Sequence, residues 1–258
     1  TLNIGDDVET LAGTVTNASG GTIVNNAELS SVNSLTNAGT FTNNGEVTYD
    51  EVKFKNTGTI ENAGTLNISA TTLTGTVTND GTAKVASGTT LSFAQGASLA
   101  NSGILENAGT IALGGTNLTF GEESVLKNLE TGSLEVNSGE MTLDGTFSNA
   151  GTITVQSGAT LNETAEQYAA TILGKVYLNN GTLSIAGEDA VAVNLDNFKS
   201  AKPANAGEIG VSTSGGTIKA EAMNLSGKLG VKATLTASTV TGSAELAAGT
   251  LQVASAVS

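Results

Sequence analysis

Two glutamates, Glu61 and Glu106, each open the same run, Glu-Asn-Ala-Gly-Thr. A pair of carboxylates held about 5 to 9.5 Å apart can hydrolyse a glycosidic bond, one as acid and the other as nucleophile or base. If neighbouring coils of one solenoid carried the two runs, the acids would meet, so a polysaccharide lyase or glycosidase is one alternative. The rest of the composition opposes it. Sugar clefts are commonly walled by aromatics, and this chain of 258 residues has six Phe, three Tyr and no Trp. A lyase needs a strong base or cation, yet His and Arg are absent and all ten basic residues are lysines. Solvent-facing acids on an acidic chain serve solubility well enough without chemistry. The expectation is therefore no catalytic residue and no enzyme.

Other candidate chemistry is equally sparse. With no Cys and no His, the usual zinc, haem, copper and iron–sulfur ligand sets are missing. So are a Ser-His-Asp triad and any disulfide. Calcium is the one metal that suits carboxylate and carbonyl donors. Its nonapeptide, Gly-Gly-x-Gly-x-Asp, does not occur: Gly114-Gly115 and Gly215-Gly216 lack the continuation, and Asp6-Asp7 with Glu9 is a loose acidic cluster. No cofactor is expected. A net charge of -14 and a pI near 4.2 repel phosphate, so nucleic acid is not an expected partner. No run of 18 apolar residues exists to span a bilayer. Thr1 is not an initiator Met and neither end carries a leader or anchor pattern, so the chain reads as a piece of something longer.

What must position any site is a repeat. The tetrapeptide Asn-Ala-Gly-Thr recurs at Asn37, Asn62, Asn107 and Asn149, with glycines at Gly39, Gly64, Gly109 and Gly151. An apolar residue follows each copy: Phe41, Leu66, Ile111 and Ile153. Many near-copies lie between, and the 33 glycines, 39 threonines and 25 asparagines dominate the composition. Within each unit, as in Thr65-Leu66-Asn67-Ile68, apolar and polar side chains alternate, which is the period of a strand. Strands this short bury a continuous face only when stacked as sides of a coil. The spacing predicts an all-β fold, a right-handed parallel β-helix with three short strands per coil of about 21 residues. Gly and Asn at the corners are expected to supply left-handed backbone conformations, and stacked Asn side chains to form amide ladders.

Residues 1–258 read as a single β-helix. Three departures from the repeat are expected to be loops: Leu126 to Thr131, residues 162–173 and residues 188–209. Looser coils are expected over 210–258. Loops on a rigid scaffold commonly hold ligand contacts, so Tyr168, Phe198 and Lys199 are the candidate ligand-binding residues, with pinning of the loops to the rod as the structural alternative for Tyr168 and Phe198. The Thr-x-Thr runs at Thr14, Thr40, Thr76 and Thr152 fit an ice-binding pattern locally, but their uneven spacing does not place them on one flat face.

The run from Thr36 to Leu66, with Thr-Asn-Ala-Gly-Thr-Phe-Thr-Asn-Asn-Gly and Asn-Thr-Gly-Thr-Ile-Glu-Asn-Ala-Gly-Thr-Leu, resembles passenger domains of monomeric autotransporters from Gram-negative bacteria, which are pectin-lyase-like β-helices. The resemblance is clear over residues 10 to 190 and looser beyond. It implies a rod exported through an outer-membrane barrel and displayed on the bacterial cell surface. No serine-protease domain is present, which points to the adhesin type. The expected function is a surface adhesin or aggregation module, with another rod, or a host or matrix glycan or protein, as partner. A passive spacer of the envelope is a further alternative.

Overall fold

The computed structural model describes residues 1–50, 52–69, 72–115, 118–163, 171–172, 175–185, 191–200 and 207–254. These form a parallel β-solenoid of about 11 turns, and the expected fold class holds. The sides of each coil are strands of about four residues, such as Thr40–Asn43, Glu46–Tyr49 and Phe54–Asn56. Most pair with the strands one coil above and below, so parallel stacks line the sides of the rod, and a further sheet runs from Glu140–Leu143 through Thr160–Glu163 and Thr182–Ile185 to Thr250–Val253. The first face runs from Leu2–Ile4 and Thr22–Asn25 to Leu118–Phe120. The second runs from Glu28–Leu29 to Thr171–Ile172. The third starts with Thr10–Asn17, Ser31–Asn37 and Phe54–Asn56, and resumes from Thr72–Leu73 to Ile209–Val211.

Alternation puts the apolar set inside. Leu66 and Ile68 point inward and are fully buried, while Thr65 and Asn67 remain half-exposed. Across the coil at residues 40–56 the interior is aromatic: the Phe41 and Phe54 ring centroids are 4.9 Å apart, and those of Tyr49 and Phe54 5.5 Å, both edge to face. That geometry matches the ring quadrupoles.

At the corners the inward position passes to asparagine. Among the described residues, eleven buried asparagines line up in three columns. Asn17, Asn37 and Asn56 end strands of the third face; Asn25, Asn43, Asn62, Asn79 and Asn101 end those of the first; Asn107, Asn128 and Asn149 end those of the second. In each column the Nδ2 of one residue donates to the Oδ1 of the next, at 2.6–2.8 Å. The same Nδ2 groups also reach corner carbonyls, as Asn37 does to Gly39 O and Thr59 O. The columns give the coil length directly. It varies from 17 to 22 residues along the first face and holds at 21 along the second.

The four Asn-Ala-Gly-Thr copies divide among three columns: Asn37 belongs to the third face, Asn62 to the first, Asn107 and Asn149 to the second. One motif serves all three corners because each corner poses the same problem. One expectation is corrected here: Gly39, Gly64, Gly109 and Gly151 do not have positive φ. Glycine is required there by close approach. A Cβ on Gly64 would stand under 3.0 Å from Gly45 O, and one on Gly151 equally close to Gly132 O.

The departures from the repeat are also revised. Leu126 to Asn128, expected within a loop, belong to Val125–Asn128, an in-register strand of the second face. Within 188–209, Val191–Asn194 is a strand that pairs with Met223–Ser226. A short 3-10 helix, Leu195–Asn197, then leads to Phe198–Lys199, which pairs beyond the later strand Ile209–Val211 and so breaks the coil order. Of 162–173, residues 164–170 and 173 lie outside the described residues. Over 210–258, Thr217–Leu229 and Thr234–Leu246 are the longest strands and pair in register almost throughout, while residues 241–254 are mostly exposed.

Gly64→Ala is expected to cost about 2–4 kcal/mol, since the clash is with backbone of the coil below. Gly13, with nothing within 4 Å of its added Cβ, is the control. Gly13→Ala should change stability by less than about 0.5 kcal/mol, and thermal unfolding of the two variants checks both values.

Candidate functional site: the outward faces of the rod

Side chains that alternate with the core form outward columns, one residue per coil. On the first face, register pairs Thr22 with Thr40, Thr40 with Thr59, Thr59 with Thr76, and Thr76 with Ser98. Two residues along, a second column runs Val24, Thr42, Glu61, Thr78, Ala100 and Thr119. Five hydroxyls therefore stand one coil apart, about 4.8 Å, next to a column of short side chains. The Thr42 hydroxyl donates to Glu61 Oε2 at 3.1 Å. Glu61 is the single charged residue in the strands of this face up to Phe120.

The other faces carry more charge. On the second, Lys84, Glu106 and Lys127 are consecutive register partners, with Lys127 Nζ 3.1 Å from Glu106 Oε1. Glu28 and Glu46 are register partners on the same face, and Glu46 accepts from Asn67 Nδ2 at 2.7 Å. The third face carries Lys55, Glu135, Lys175 and Lys199 in its strands.

The candidate residues separate under this geometry. Glu61 lies on the first face and Glu106 on the second, so the matching motifs do not bring the two carboxylates together. Asp6, Asp7 and Glu9 are exposed, and no group of three acids that could hold a metal ion occurs among the described residues. The four Thr-x-Thr runs divide between faces, Thr40 and Thr76 on the first and Thr14 and Thr152 on the third.

Tyr168 lies outside the described residues. Phe198 is not an exposed contact group: it is 5% exposed and packs in the core, because a bare ring on a two-residue strand gains more by burial than by display. Lys199 is exposed, and its ammonium turns back to Asp196 O at 2.8 Å. The motif asparagines Asn37, Asn62, Asn107 and Asn149 are buried with their side chains facing inward, and the motif glycines lie against backbone of the neighbouring coil, so neither contributes to the outward faces.

Sequence reading missed two buried groups. Among the described residues, Asn107 Oδ1 has no hydrogen-bond partner, and neither has Ser124 Oγ. Asn107 is the first rung of its column, and its register partner below is Val85, which offers no donor. The signal is present in the sequence as an aliphatic residue one coil before the asparagine, but only register makes it readable.

The chain matches no protein-family model, no curated protein and no solved structure. No helix among the described residues is long and apolar enough to cross a membrane.

Phe198→Ala should destabilise the protein by about 3 kcal/mol through cavity formation. Lys199→Ala should stay within about 0.5 kcal/mol of the parent. Urea denaturation of the two variants distinguishes a packing role from a display role.

Proposed function

We propose that this rod is an extracellular adhesin or aggregation module, displayed on a bacterial cell surface as an autotransporter passenger and acting through many weak polar contacts. The supporting observation is the outward column Thr22, Thr40, Thr59, Thr76 and Ser98 on a face whose strands carry one charge. A hydroxyl exchanged from water to a partner gains about 0.5–1.5 kcal/mol net. Such a gain means little alone. Repeated at a fixed spacing along a stiff face it accumulates, because ordering the first contact largely orders the rest, and display of many rods adds avidity. The Gram-negative setting rests on the motif run from Thr36 to Leu66 and its likeness to passenger repeats.

Charge decides which face two rods can share. At -14 the chains repel each other, and that repulsion is screened within about 8 Å at physiological ionic strength. The first face lets two copies approach with the fewest like charges opposed.

Sedimentation velocity over a wide concentration range is expected to show association that strengthens from low to physiological salt. A triple variant, Thr40→Asp, Thr59→Asp and Thr76→Asp, should remain a monomer under the same conditions with its fold intact by circular dichroism. A parent that is monomeric at every salt and concentration, or a triple variant that associates like the parent, would overturn self-association through this face.

A further inference from the structure

Two asparagines in this chain stand directly before glycine, Asn44 and Asn180, and the fold treats them differently. Asn44 is held at three points. Its backbone N–H and that of Gly45 both donate to Asn25 O, at 2.8 and 3.3 Å, and its Nδ2 donates to Asn26 Oδ1 at 2.8 Å. Asn180 is exposed and is the one non-glycine residue with positive φ among the described residues, at 61°. That conformation costs an L-residue on the order of 1 kcal/mol. Its N–H donates upward to Gly215 O at 2.9 Å. Among the described residues, neither its side-chain amide nor the N–H of Gly181 has a hydrogen-bond partner.

We propose that Asn180–Gly181 is a site of spontaneous deamidation in the folded protein, and that Asn44–Gly45 is protected. In the reaction the Gly181 nitrogen loses its proton and bonds to Asn180 Cγ. The Cγ–Nδ2 bond breaks and ammonia leaves, closing a succinimide ring. Water then adds to one ring carbonyl. Opening at Cγ gives aspartate, and opening at the main-chain carbonyl gives isoaspartate, with the backbone rerouted through Cβ and Cγ. No oxidant or metal enters the balance.

Glycine at the second position removes the side chain that would otherwise crowd the attacking nitrogen. Ring closure also requires the Asn180 peptide to swing out of its left-handed conformation, and one hydrogen bond, to Gly215 O, opposes that motion. At Asn44 the corresponding swing would break the bonds to both Asn25 and Asn26. The product matters to the fold because Gly181 O accepts from Thr217 N at 3.0 Å. An isoaspartate lengthens the chain at a corner that ties one coil to the next, and either product adds a negative charge.

The test is to incubate the whole folded chain in mildly alkaline buffer and follow both sites by peptide mass and by enzymatic methylation of isoaspartate. Conversion at Asn180 is expected to run roughly tenfold or more ahead of Asn44, with the ratio falling towards unity in denaturant, where local opening costs vanish. Asn180→Gly tolerates the positive φ and should abolish the isoaspartate signal from this corner while the protein stays folded. Equal native rates at the two sites, an Asn180 that persists as amide, or a signal that survives Asn180→Gly would each overturn the proposal.

Discussion

Successive coils of the rod lie one strand spacing apart, about 4.8 Å, and almost every other feature follows from that distance. It forces backbone carbonyls of one coil against the corner of the next, which leaves no room for a Cβ at Gly39, Gly64, Gly109 or Gly151. It brings like residues into columns, so that an amide inside can satisfy an amide and a hydroxyl outside stands over a hydroxyl. A buried polar group normally costs free energy unless it finds a partner. Here the partner is the same residue one coil away. The columns that begin at Asn17 and Asn25 overlap in sequence, and the one that begins at Asn107 takes over within a coil of Asn101, so that together they tie the coils from the first full turn to Asn149.

Where a column ends, the same distance exposes the cost. Asn101 faces Phe120 above it, and Asn107 has Val85 beneath and an unpaired Oδ1. The first-face column stops and the second-face column starts within one coil, between Asn101 and Asn107. Beyond Asn149 the corners change character: Gly227 and Gly242 take positive φ within long continuous strands.

Much of this was legible in the sequence, since alternation in Thr65-Leu66-Asn67-Ile68 and the Asn-Ala-Gly-Thr copies fix strand, corner and parallel stacking. Column membership was not. Coil length varies between 17 and 22 residues along one face, so counting from Gly64 to Gly109 crosses from one corner to another without any local sign. Register therefore had to come from pairing, and with it the separation of Glu61 from Glu106 and the uninterrupted threonine column of the first face. For Phe198 the sequence left display and pinning both open, because a break in the repeat does not show that the chain there doubles back and adds a strand to the third face. The outward faces were readable as polar, while their unequal charge emerged only once each strand was assigned to a side.

The stacking of the coils depends on the inward asparagines donating along their columns, and side-chain amide hydrogen exchange measured by NMR tests that most directly. The Nδ2 protons of Asn25, Asn43, Asn62 and Asn79 should exchange far more slowly than those of the exposed Asn33, which reaches a single carbonyl, Ala12 O. Exchange of the column amides as fast as that of Asn33 would contradict the ladder, and with it the stacking that puts the threonines of the first face in register.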